Sequence, residues 1–331
     1  MNKPVIAFVT GGYSSEAIIS YKSAITIEKN IDTSKYEVYK IDITPEEWFY
    51  LSPGGEKIAV NRDNFTLIIN GLVIKFDAIF IGIHGTPGED GKLQGYFDLL
   101  NIPYTSCDAT TSAITFNKRY TVAVAGASGF HVAKSFHLFK STYVPVSLNE
   151  MSINFPVFVK PNNGGSSIGM SKVNIIEELA AAIDKAFKED DQVLIEEFIA
   201  GREFTIGVFR SKGSIITLPF TEIITENEFF DFEAKYQGKS KEITPAECSQ
   251  DTADKVRSAA SGIYAVFNCR GVVRMDFIFN ELDQLPYLLE INTVPGQSAA
   301  SIVPQQVAAM GVSLTDFYSM LIDEAIYTAK K

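Results

Sequence analysis

Residues Gly271–Gly296 read GVVRMDFIFNELDQLPYLLEINTVPG, two strand-length runs joined by a polar stretch at Asn280–Pro286. Alternation puts Arg274 and Asp276 on one face of the first strand, and Glu290 and Asn292 on one face of the second. If the strands pair, three oxygen donors and a guanidinium converge on a patch flanked by Val272, Val273, Phe277, Leu288, Leu289 and Ile291. A lone acid in a strand is ordinarily a solvated edge residue. Four polar groups facing one way amid bulky apolar neighbours point to a site, because charge buried there is paired or functional. Hard oxygen donors on a rigid sheet suit Mg²⁺, which usually bridges to substrate phosphates. The competing reading is a structural ion-pair cluster.

The chain has 331 residues, enough for two or three domains, and its 46% hydrophobic and 21% charged content is that of an ordinary globular protein. A formal charge of −11 argues against wrapping nucleic acid, which needs a basic face. Cys107, Cys248 and Cys269 share no CxxC spacing and read as small buried hydrophobes in a reducing cytosol. The apolar segment after Lys3 is too short for a signal-peptide core, and no window approaches a membrane span. The expectation is a cytoplasmic protein with no membrane partner.

Working outward, residues 4–10 predict a buried strand, followed by Gly11-Gly12 and a helix from about Ser14 to Lys29. Strands at Tyr36–Ile43 and Ala78–Ile83 continue a β-turn-α alternation, which predicts a small parallel α/β domain over residues 1–105. Residues 106–195 mix helix and strand around Pro156–Lys160 and the glycine-rich NNGGSSIG. There Asn174 with Glu177 reads as a capping box opening a helix whose Ile176, Leu179, Ile183 and Phe187 share a face. Residues 196–331 carry the metal-type strands, a helix near 252–267, and a C-terminal helix near 314–329. With no repeat and no low-complexity linker, ligands are expected in clefts between the domains.

Several segments carry further chemistry. Gly11-Gly12 before Ser14, Ser15 and Glu16 offers a helix N-terminus able to attract an anion, but there is no GxGxxG, and alone it reads as an ordinary N-cap. The turn His84–Gly91, HGTPGEDG, follows an apolar strand, and strand ends of α/β sheets bind ligands. His131 and His137 lack such company and read as structural. Lys118 and Lys160 are candidate phosphate contacts. Lys160 precedes the glycines, so this is not a P-loop. In VLIEEFI, Val193–Ile199, Phe198 and Ile199 suit an adenine slot, Glu196 an acceptor for its amine, and Glu203 the ribose hydroxyls. The segment Phe229–Tyr236 reads as a loop able to cover phosphates.

In order, GGYSSEAIIS, HGTPGEDGKLQG, VKPNNGGSSIGMSKV, EEFIAGREFT, DFEAKY, VVRMDF and LLEINTVPGQSAAS resemble the ATP-grasp ligases, and among them the D-alanine–D-alanine ligases, from about residue 5 to residue 325. The resemblance implies an α/β and α+β fold: a three-domain ATP-grasp architecture with an N-terminal Rossmann-like parallel α/β domain. It implies phosphoryl transfer from ATP to a first D-alanine, then attack on the acyl phosphate by a second. By that resemblance Asp276, Glu290 and Asn292 hold two Mg²⁺ (or Mn²⁺), and Lys118, Lys160 and Lys235 contact phosphates. Glu196, Phe198, Ile199 and Glu203 hold the nucleoside. Arg274 and the Gly296 N–H stabilise the oxyanion. Glu16 and His84 attend the first alanine, and Ser301 and Ile302 attend the second. Glu16, Ser166 and Tyr236 form a hydrogen-bonded set that fastens a lid. A homodimer is also implied.

One departure stands out: Asn163-Gly164 occupies positions where such ligases often carry Arg-Glu, which puts contacts through those side chains in doubt. The alternatives are a ligase for D-lactate or D-serine, another ATP-grasp carboxylate–amine ligase, or a regulatory nucleotide-binding module. Tyr236, HGTPGEDG and the intact metal-type set favour the D-alanine reading over each in turn.

Overall fold

The structure is a computed structural model, and it describes residues 3–144, 153–164, 168–225 and 240–328. Ser166, Lys235 and Tyr236, and with them the expected lid segment, lie outside the described residues.

The first sheet has the order β4-β3-β2-β1-β7, from β1 (Val5–Gly11), β2 (Glu37–Ile43), β3 (Trp48–Leu51), β4 (Lys57–Ala59) and β7 (Ala78–Ile81). A separate hairpin pairs β5 (Leu67–Ile69) with β6 (Leu72–Ile74). β1 runs parallel to β2 and β7, as the alternation predicts, while β3 and β4 extend the sheet antiparallel. β1 is apolar from Val5 to Val9 because both its faces are covered. Ile6 and Phe8 enter one core with α1 (Ala17–Asn30), and Ala7 and Val9 enter another with α2 (Lys92–Leu99). α1 starts at Ala17 rather than Ser14, because Ser14–Glu16 form the turn that feeds it.

α3 (Ala109–Phe116) and α4 (Lys118–Ala127) follow, capped by the side chains of Asp108 and Asn117. The second sheet, order β11-β10-β12-β9, is antiparallel. It is built from β9 (Ser135–Phe139), β10 (Val157–Pro161), β11 (Ser171–Val173) and β12 (Gln192–Glu197), with α5 (Ile176–Ala186) packed on it. Leu179, Ile183 and Phe187 are buried as predicted, but Ile176 is exposed. The capping box also differs: α5 opens at Ile175 without a side-chain cap, and Glu178, not Glu177, accepts from the Asn174 N–H. The boundary drawn at residue 195 falls inside β12.

The third sheet has the order β16-β15-β13-β17-β18-β8, with β14 (Ser214–Thr217) beside β13. Its other strands are β8 (His131–Val132), β13 (Arg202–Ser211), β15 (Thr221–Thr225), β16 (Ser240–Ile243), β17 (Val272–Asn280) and β18 (Leu285–Asn292). The strand pair read first in the sequence is there: β17 and β18 are antiparallel, with Arg274 opposite Asn292 and Asp276 opposite Glu290. A bulge between Asp276 and Phe277 shifts the register. Val273, Met275 and Phe277 point the other way, into a core with Val256, Ala260 and Ile263 of α6 (Gln250–Val266). Each such buried side chain is worth roughly 1.5–3 kcal/mol, so the alternation that hides them also obliges Arg274 and Asp276 to face the cleft.

α7 (Ile302–Ala309) and α8 (Leu314–Thr328) complete the chain. Phe317, Leu321 and Ala325 are buried, yet much of this face serves a distant part of the sequence: Phe317, Tyr318 and Leu321 share a core with Ile6, Phe8 and Ile27. Tyr36 Oη donates to Asp323 at 2.6 Å and ties the same helix to the first domain. His131 packs at a tilt against Tyr287, and neither His131 nor His137 lines a cavity described below. Cys107 and Cys269 are buried and Cys248 partly so, all as free thiols. Among the described residues no helix is long and apolar enough to cross a membrane.

Candidate functional site

Two cavities of about 410 and 430 Å³ meet along the exposed face of β17 and β18. Lys118, Glu203, Asp276 and Glu290 line both. Each cavity then has its own wall: Glu16, His84, Gly296 and Ser301 around the first, and Lys160, Glu196, Phe198 and Ile199 around the second.

At the junction Arg274 donates Nε to Asp276 Oδ1 at 2.9 Å and Nη2 to Asp276 Oδ2 at 2.8 Å, with Glu290 Oε1 3.8 Å away. Thr205 on the neighbouring strand also donates to Asp276 Oδ1. Burial works against the charge of Arg274, but Asp276 and Glu290 outweigh it and hold its pKa above the ordinary guanidinium range. Among the described residues no group of three or more His, Cys, Asp and Glu is placed to hold a metal ion. The donor set here is two carboxylates and an amide. Asn292 directs Nδ2 at Asp276 Oδ2, 3.5 Å away, and turning the amide over presents Oδ1 instead. Hard oxygen donors on one sheet face fit a divalent cation of the Mg²⁺ kind, and Arg274 satisfies the carboxylates from the side.

The first cavity is closed by a clamp between the HGTPGEDG turn and the segment after β18. His84 is buried, its ring hydrogen-bonds the backbone of Val294, and its Nε2 lies 2.9 Å from Ser23 Oγ, which accepts from the Gln297 N–H. A ring that donates on one side and accepts on the other is best served neutral, and burial lowers the His84 pKa to about 4. Glu89, a residue the motif reading passed over, accepts from the Gly85 N–H at 2.7 Å and from the Val294 N–H at 3.2 Å. Burial and the neighbouring Glu16 charge push its pKa up to about 8. Its signal was its place in the turn: a carboxylate between two glycines is well placed to take backbone donors that other residues would crowd. Gly85 has φ +66°, a left-handed conformation that favours glycine, and a Cβ there would crowd the Glu16 carboxylate. Beyond Gly296, Ser301 opens α7 and shares a 2.8 Å hydrogen bond with Ser298 Oγ, and Ile302 follows on the cavity wall.

His84 gives a pH prediction. A depressed pKa means that the neutral ring stabilises the fold fully above pH 6.5, and that this is lost as pH falls towards 4. The loss between pH 7.5 and 4.5 is about 2–3 kcal/mol. Glu89 runs the other way, its contribution present below about pH 4.5 and lost as pH rises through about 8. The difference in unfolding free energy between the parent and His84→Gln isolates the histidine. That difference should shrink by this amount at the lower pH, and parallel curves would contradict the assignment.

The second cavity is narrower in chemistry. Lys160 and Glu196 sit diagonally on the same face of β10 and β12 and form an ion pair of 2.5 Å, both largely buried. The sequence reading placed each in the site but not against each other. Phe198 packs on Phe158, with Lys172 Nζ over its ring, and Ile278 and Leu289 form a further apolar wall. Lys118 Nζ donates to Gly164 O at 2.7 Å, at the point where the glycine-rich loop leaves β10. The result is a flat apolar slot with a carboxylate at one side, leading to lysines and then to carboxylates. This arrangement suits a base, a polyphosphate and a divalent cation in sequence.

Two family models match this chain, described as D-ala D-ala ligase N-terminus over residues 5–107 and D-ala D-ala ligase C-terminus over residues 129–323. A D-alanine–D-alanine ligase of Flavobacterium johnsoniae is 43% identical over 318 residues, 96% of this chain and 98% of the relative. One of Christiangramia forsetii is 44% identical over 324 residues, 98% of this chain and 99% of the relative. Among solved structures, the D-alanine–D-alanine ligase from Coxiella burnetii superposes with a TM-score of 0.87 at 26% identity, covering 100% of this chain and 96% of that one. The Bacillus anthracis ligase complexed with ATP gives 0.79 at 26% identity, covering 99% of each. The VanG D-Ala:D-Ser ligase from Enterococcus faecalis gives 0.85 at 30% identity, covering 98% of this chain and 100% of that one.

Proposed function

The chain belongs to the D-alanine–D-alanine ligase family, and from that premise we propose how its two cavities divide the work. The protein joins two molecules of D-alanine to D-alanyl-D-alanine at the expense of ATP, passing through an acyl phosphate, and so supplies a peptidoglycan precursor. The observation that carries the division is the shared lining. Among the described residues, the charged side chains common to both cavities are one lysine and three carboxylates, Lys118, Glu203, Asp276 and Glu290. A carboxylate in one cavity and a terminal phosphate in the other meet there.

ATP lies with its adenine in the slot of Phe198 and Ile199, its amine towards Glu196 and its ribose towards Glu203. Lys118 and Lys160 face the phosphates. Asp276, Glu290 and Asn292 are the residues that hold two divalent cations, Mg²⁺ or Mn²⁺. When bound, these neutralise the repulsion between a triphosphate and a carboxylate. In the other cavity Glu16 receives the ammonium of the first D-alanine, beside His84. Arg274 and the Gly296 N–H face the carbonyl oxygen that becomes the oxyanion. Ser301, at the positive end of α7, takes the carboxylate of the second D-alanine, with Ile302 walling its methyl group. The roles of Lys235 at the phosphates, and of Ser166 and Tyr236 in fastening a lid to Glu16, rest on their motifs. A homodimer in the cytoplasm, with neither nucleic acid nor membrane as partner, completes the proposal.

Phosphate release from ATP and Mg²⁺, screened against D-alanine, L-alanine, D-serine and D-lactate, tests the reading. Release should require D-alanine and yield the dipeptide. Equal turnover with L-alanine overturns the placement of Glu16 and His84, and release without any amino acid overturns the ligase reading altogether.

A further inference from the structure

The turn between α5 and β12 packs against the chain on either side of residues 165–167. On the outgoing limb Asp190 Oδ2 accepts from the Asn163 backbone N–H at 2.7 Å and from Asn163 Nδ2 at 2.8 Å. The other oxygen, Oδ1, accepts from the Gln192 N–H at 3.0 Å, where β12 begins. On the returning limb Gly169 has φ +74°, and a Cβ there would stand 2.8 Å from Glu189 Cγ and from Pro161 Cγ. Lys185 Nζ donates to the Met170 carbonyl at 2.9 Å. The limbs therefore leave and return against one short piece of chain. Asn163, Gly164, Ile168 and Met170 line the second cavity, whereas Asp190 does not.

Resting on the reading of that cavity as the ATP site, we propose that Asp190 is a positioning residue for the nucleotide, acting through Asn163. A charged acceptor that takes a backbone and a side-chain donor of one residue fixes that residue's place and its orientation. Here the residue so fixed is the last side chain before Gly164, whose carbonyl receives Lys118. The direction of the chain after β10 and the seat of a phosphate-facing lysine are thus set by a carboxylate that does not itself line the second cavity. Asn163 lines the second cavity and not the first, so the D-alanine cavity meets this contact only at one remove, through Gly164 and Lys118.

Binding of a non-hydrolysable ATP analogue with Mg²⁺ to the full chain, together with steady-state kinetics, decides the matter. Asp190→Ala should raise the analogue's Kd about tenfold, the usual scale for losing a charge-assisted contact, and should change the KM for D-alanine by less than about twofold. Asn163→Ala, which keeps the backbone bond, should raise Kd about threefold. The double variant should be no worse than Asp190→Ala, because both remove one interaction. Additive losses, equal losses for ATP and D-alanine, or an unchanged Kd in the folded variants overturn the proposal. Should Asp190→Ala fail to fold, Asn163→Ala decides alone, because it leaves the Asp190–Gln192 bond in place. A parent that binds the analogue without D-alanine-dependent turnover overturns the ligase reading and leaves this inference standing.

Discussion

Glu290→Gln is expected to remove nearly all turnover while leaving the chain folded. Glu290 stands opposite Asp276 on β18, half-buried, where both cavities meet. The amide keeps the size and one oxygen but loses the charge. Divalent ions held at this junction would repel each other in a low-dielectric cleft, and the charge of Glu290 would offset that repulsion. The loss in kcat should be on the order of 10²–10³, the scale seen when one preorganised electrostatic partner of a transition state is removed. Stability should change little, since Glu290 lies 3.8 Å from Arg274 and is not that residue's main partner. Asn292→Asp should be milder, because it keeps an oxygen and adds charge. Metal affinity, followed by Mn²⁺ resonance with the ATP analogue present, should fall in step with kcat for Glu290→Gln. Near-normal kcat at ordinary Mg²⁺ would remove the basis for reading this strand pair as a metal site.

Replacing Arg274 by Met should cost activity on a similar scale, and stability as well. Its guanidinium donates two hydrogen bonds to Asp276, beside those from Thr205 and Asn292, and its charge also favours ionised Glu89 and Glu290. Met fills comparable volume but leaves those carboxylates facing one another without their cation. Breaking one side of a buried pair typically costs about 3–5 kcal/mol. Divalent cations held by the same carboxylates would restore part of this. The loss in unfolding free energy should therefore be smaller with Mg²⁺ and the ATP analogue than without them. Arg274→Lys keeps the charge but not the forked geometry, and should fall between the parent and Arg274→Met in both measures. If Arg274→Met keeps kcat within about threefold, the guanidinium is only a structural counter-ion, and the oxyanion must be stabilised elsewhere.

The metal-type face was legible because strand alternation is a local property. Whatever packs on β17, hiding Val273, Met275 and Phe277 obliges Arg274 and Asp276 to point the other way. The buried first strand, the parallel pairing around it, and the apolar stripe of α8 follow from the same kind of short-range pattern. What lies beneath α8 does not, since nothing near Phe317 in the chain announces that Ile6 and Phe8 will be its neighbours. The β3–β6 strands escaped notice because they are only three or four residues long, too short for alternation to show.

By itself, then, the sequence determined on which face of β17 and β18 the clustered polar residues stand, because each strand's periodicity dictates its own faces. Only the tertiary structure decided what those residues meet: Lys160 against Glu196, Glu89 across to Val294, and Asp190 under Asn163. These contacts join elements that are far apart in sequence or cross a turn whose path no pattern specifies. Their energies depend on distance and burial, which exist only once the sheets have packed.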